Sequence, residues 1–64
     1  MKLKPQVMAT QQGPIGVWLL DDVGDAKVTI SLMSSPAITR EQLKAVAIAV
    51  ADALPEDGIE IPDQ

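Results

Sequence analysis

The stretch Leu43-Lys-Ala-Val-Ala-Ile-Ala-Val-Ala-Asp-Ala-Leu54 puts apolar residues on nearly every side of a helix, in a chain of only 64 residues. A helix that is hydrophobic all round is normally buried. At about 100° per residue, Leu43, Val46, Ala47, Val50, Ala53 and Leu54 share one face, which predicts packing against a sheet. Ala45, Ile48 and Ala49 fall on the opposite side, beside Glu41 and Asp52. Alanine is explained there as the best helix former. Ile48 is not, because it places a large branched side chain on the face expected to be wet.

The ends of this helix are marked by mutually consistent signals. Thr39 reads as the N-cap, with Gln42 three residues on completing a capping box and Ile38 with Leu43 forming a hydrophobic staple. Pro55 ends the helix by steering Leu54 out of helical geometry. The predicted span is 40–54.

Upstream, Ile15-Gly-Val-Trp-Leu-Leu20 has no polar residue in its middle and reads as a strand buried on both faces. Lys27-Val-Thr-Ile-Ser-Leu-Met33 alternates with period 2, and Asp21-Asp-Val-Gly-Asp-Ala26 between them is a turn in which Gly24 is able to take the positive φ that a hairpin loop often requires. This predicts a β-hairpin over about 15–33. Its helix-facing side is Ile15, Val17, Leu19, Val28, Ile30 and Leu32, and its other side is Trp18, Leu20 and, across the hairpin, Met33.

The flanks are less regular. Leu3 and Val7 lie on one side of an extended segment, but Pro5 lacks a ladder donor, so residues 1–12 read as an edge strand or a loose arm. Gln11-Gln-Gly-Pro14 is a loop. After Pro55 an acidic tail, 55–64, holds a possible short strand at Ile59-Glu-Ile61. The fold class expected is α+β. It comprises a two- or three-stranded antiparallel sheet with one helix packed on one face, in a single small domain spanning 1–64.

Composition excludes several functions. Cysteine and histidine are both absent, so neither disulfides nor a zinc site reinforces this small core. Oligomerisation is the remaining reinforcement, and a homodimer is expected. All five basic residues lie before position 45, while Asp52, Glu56, Asp57, Glu60 and Asp63 follow it, giving a net charge of −4. Nucleic-acid binding needs cations to neutralise phosphate and aromatic rings for stacking, and Trp18 is the only aromatic. No apolar run follows Lys4 as in a signal peptide, and the apolar helix is shorter than the roughly 20 residues that span a bilayer. No membrane association is expected, and a cytoplasmic location is.

Catalytic chemistry has no foothold in these residues. Asp21, Asp22 and Asp25 lack the ligand spacing of a calcium loop and read as a solvated turn. Ser31, Ser34 and Ser35 have no histidine to activate them. Gly13-Pro-Ile-Gly16 lacks the lysine of a phosphate-binding loop. The chain is expected to be non-enzymatic and to need no cofactor or metal. Its apolar excess instead predicts contact surfaces at Trp18, Leu20 and Met33 on the sheet and at Ala45, Ile48 and Ala49 on the helix. The function expected is a binding or inhibitory protein-interaction module that occupies a surface on a larger protein partner, a profile shared in composition by accessory proteins of phages and mobile elements. The alternative is a structural subunit of a homo- or hetero-oligomeric assembly.

Overall fold

Four antiparallel strands and one helix make up the fold. The structure, a computed structural model, describes residues 1–62. In chain order the elements are β1 (Lys2–Ala9), β2 (Ile15–Leu20), β3 (Ala26–Ser31), α1 (Arg40–Ala53) and β4 (Ile59–Glu60). The sheet order is β3-β2-β1-β4. The α+β class expected from the sequence is observed, with more strands than expected.

The extra strands come from the two flanks. Residues 2–9 are not a loose arm: β1 pairs with β2 over Lys4–Ala9 and with β4 only at Lys2 and Leu3, so it is interior at its start and an edge strand beyond it. Pro5 is tolerated there for a local reason. The Ile61 N–H donates to the Met1 carbonyl at 2.7 Å, so odd residues of β1 direct their backbone groups towards β4. β4 pairs only with Lys2 and Leu3. The N–H that Pro5 lacks would point past the end of β4, where no strand needs it. The acidic tail is likewise tied down as far as it is described. Ile59 and Ile61 pack against the core, and Lys2 Nζ lies 3.6 Å from Asp57 Oδ2. Asp63 lies outside the described residues.

The helix forms as its end signals predict. Thr39 Oγ1 accepts from the Gln42 N–H at 3.1 Å, and Gln42 Oε1 accepts from the Thr39 N–H at 2.9 Å. Leu54 already has extended geometry before Pro55. The buried face differs from the expected one. Ala47 is fully buried, and Val50, Ala51 and Leu54 pack against a cluster of Leu3, Val17 and Leu19. Val46 and Ala53, expected on that face, are exposed.

The cause is the position of the sheet's middle. With β1 added, the centre lies between β1 and β2, and α1 packs across those two strands. The full length of β3 is left exposed. Val28 and Ile30 stand opposite Leu19 and Val17 on the helix side of the sheet, but they are 41% and 36% exposed instead of covered.

Candidate functional site

Two uncovered surfaces stand out, on different parts of the molecule. The first is the sheet face that α1 leaves open. Trp18 sits near its middle, with Gln6 beside it on β1 and Thr29 beside it on β3. The indole is 37% exposed, and Leu20, two residues along the same face, is half-buried. Met8, also on this side and opposite Gly16, is buried. The exposed apolar group is therefore concentrated at Trp18 and framed by polar neighbours.

The second surface runs along β3. Val28 and Ile30 form its floor, beside the backbone edge that no strand covers among the described residues. Lys44 and Asp52 border grooves that α1 makes with β1. At about 100° per residue Val46 lies on the opposite flank, the one turned towards β3. It is 48% exposed. The sequence pattern assigns Val28, Ile30 and Val46 to the core.

The six contact residues expected from the sequence do not form one patch. Trp18 and Leu20 share the open sheet face. Met33 lies past the end of β3 and is almost wholly exposed. Ala45, Ile48 and Ala49 are exposed on the outer surface of α1, across the molecule from Trp18. Ile48 falls one helical turn from both Lys44 and Asp52, so charge flanks it on either side.

Several polar side chains are engaged in structure. Asp21 organises the β2–β3 loop: its Oδ1 accepts from the backbone N–H of Asp25 at 2.9 Å and of Val23 at 3.1 Å, while Oδ2 lies 3.7 Å from Lys27 Nζ. The Asp25 N–H bond chiefly, with those of Val23 and the Lys27 charge adding to it, outweighs partial burial and holds the Asp21 carboxyl below its usual range. Arg40 Nη2 donates to the carbonyl oxygens of Thr10 at 2.6 Å and Gly13 at 2.7 Å, tying the β1–β2 loop to the first turn of α1. Ser35 Oγ accepts from the Ala37 N–H at 3.3 Å, a local turn. Among the described residues no three carboxylates converge as metal ligands, and no helix is long and apolar enough to cross a membrane. Nothing in the sequence pattern pointed to the Arg40 contact, because its acceptors are backbone atoms of a distant loop.

Comparison of the chain with known protein families, with curated proteins and with solved structures finds no match in any of the three.

Proposed function

We propose that this chain is a non-enzymatic protein-interaction module that acts by docking on a larger protein through the open face of its sheet. The observation that carries this reading is Trp18. It is the sole aromatic of the chain, it stands partly exposed on the face opposite the helix, and Gln6 and Thr29 flank it. A large apolar anchor ringed by polar groups is the arrangement that dominates binding energy at protein interfaces. Ile48 is the weaker candidate, since a single isoleucine between charged neighbours is ordinary helix surface.

Affinity capture with wild type, Trp18→Ser and Ile48→Asp as parallel baits tests the reading. A stoichiometric partner retained by wild type and Ile48→Asp but lost with Trp18→Ser is the expected result. Equal capture by Trp18→Ser overturns it. A second reading, a structural subunit of an assembly, is favoured by a different observation, the uncovered edge of β3.

A further inference from the structure

We infer that the β3 edge pairs with the β3 edge of a second copy of this chain, antiparallel across a two-fold axis, joining two four-stranded sheets into one of eight strands. This concerns a different surface from the Trp18 face and does not rest on the docking reading.

The first support is area. The chain exposes 4728 Å², whereas a compact monomer of 6.8 kDa exposes about 3950 Å². The surplus of roughly 800 Å² is what each partner of a standard-sized interface buries. Shape agrees with area. The radius of gyration is 12.5 Å and the extents are 39 × 20 × 19 Å, against about 10.7 Å for a compact domain of this length.

The second support is the chemistry of the edge. Edge strands are commonly guarded by charge, proline or bulges. From Val28 to Ser35 there are eight consecutive residues with no charge and no proline. The irregularity in the β2–β3 ladder lies before this run, where Leu20 pairs with Ala26 and Lys27 is skipped. The opposite edge of the sheet, β4, is only two residues long and carries Glu60. From Val28 on, β3 is therefore the unguarded edge, whereas the part of β1 that β4 leaves uncovered contains Pro5.

The third support is register. The Leu32 N–H donates to the Ile15 carbonyl at 2.8 Å, so Ile30 and Val28, in step with Leu32, bond inwards to β2. The backbone groups of Thr29 and Ser31 point outwards. A two-fold axis perpendicular to the sheet keeps each face on its own side, so only residues of like parity can oppose one another. Lys27 lies at the ladder irregularity, which leaves Thr29 and Ser31 as the regular outward pair. The one register that joins these two sets Thr29 opposite Ser31 of the second copy, Ile30 opposite Ile30, and Val28 opposite Leu32. No like charges meet in it. Val28, Ile30 and Leu32 of both copies then form one apolar strip on the helix side, with Val46 on its flank.

This register makes Ile30 a non-hydrogen-bonded pair on the axis, with Cα atoms about 4.5 Å apart, inside the range a disulfide spans. The chain has no cysteine, so a single introduced thiol reports on itself alone. Three full-length proteins decide the matter: wild type, Thr29→Pro and Ile30→Cys, with Val23→Cys in the exposed β2–β3 loop as the control thiol. Light scattering at tens of micromolar is expected to give twice the chain mass for wild type. Thr29→Pro removes an outward donor that β2 does not use, and is expected to give the single-chain mass with an unchanged far-ultraviolet circular dichroism spectrum. Ile30→Cys is expected to form an interchain disulfide in a glutathione buffer that leaves Val23→Cys mostly reduced. A wild type that is monomeric, a Thr29→Pro protein that stays dimeric, or an Ile30→Cys protein no more crosslinked than Val23→Cys overturns the inference. Should Thr29→Pro fail to fold, the disulfide comparison decides alone.

Discussion

Val17 and Ile30 stand directly opposite each other across the β2–β3 ladder, yet Val17 is sealed and Ile30 is partly open to solvent. The boundary of the core runs between them, because α1 covers β2 and stops short of β3. Truncating the two therefore has unequal effects on the folded subunit. Val17→Ala is expected to cost about 2 kcal/mol by leaving a cavity in the cluster it forms with Leu3 and Leu19. Ile30→Ala is expected to cost under about 1 kcal/mol. Urea unfolding at low micromolar concentration, where association contributes least, checks the difference; equal losses would show that β3 belongs to the core.

Gly16 presses against the backbone of β3. A Cβ at this position would overlap the Ile30 carbonyl oxygen and crowd the Ser31 Cα. The neighbour is main chain, which has no rotamer by which to move aside. Gly16→Ala is expected to destabilise the chain by roughly 2 kcal/mol through overpacking and to separate β2 from β3. Thermal unfolding with amide exchange on the β3 segment measures both effects. A melting temperature equal to that of wild type would contradict this account.

The elements set by local chemistry were readable in advance, and those set by long-range pairing were not. The Thr39–Gln42 box and Pro55 fix the ends of α1 whatever surrounds them. The period-2 run from Lys27 fixes β3 in the same way. β1 was obscured by Pro5, whose meaning depends on β4 ending at the right place some 54 residues further along the chain. Pro5 leaves residues 1–12 readable as an edge strand or a loose arm, and the choice decides where the helix sits. Without β1 the helix has only the hairpin to cover, which puts Val28 and Ile30 in the core and Val46 on the sheet. With β1 inserted, the helix moves across and all three emerge. Trp18 and Ile48 read in the sequence as apolar residues without a partner, and both are exposed, but on opposite sides of the molecule.

Arg40 occupies the first turn of α1, where the helix dipole disfavours a cation. It is held there by the carbonyl oxygens of Thr10 and Gly13. These bonds close the β1–β2 loop against the helix. Arg40→Met keeps much of the side-chain stem and removes both donors. It is expected to cost about 1 kcal/mol, the scale of solvent-exposed charged hydrogen bonds. Faster limited proteolysis within residues 10–14 is the specific sign, since the helix itself retains its capping box. Unchanged cleavage of that loop would assign Arg40 no fastening role.

Asp21 gives the fold a defined response to acid. Its carboxyl is held below the ordinary value, first by the Asp25 N–H and further by Val23 and Lys27, so the unfolded chain takes up this proton at higher pH than the folded one. A group with a lowered folded pKa contributes stability that is fully present above the ordinary carboxylate range. That stability is lost as pH falls through the lowered value. Asp21→Asn removes the charge at every pH while keeping an acceptor oxygen. Near pH 7 it is expected to melt below wild type. As pH falls through the acidic range the wild-type advantage is expected to shrink and then vanish, because the wild-type carboxyl becomes neutral as well. Melting temperatures of the two proteins from pH 7 down to pH 2 test this, and a gap that stays constant would mean that the Asp21 charge does not hold the β2–β3 loop.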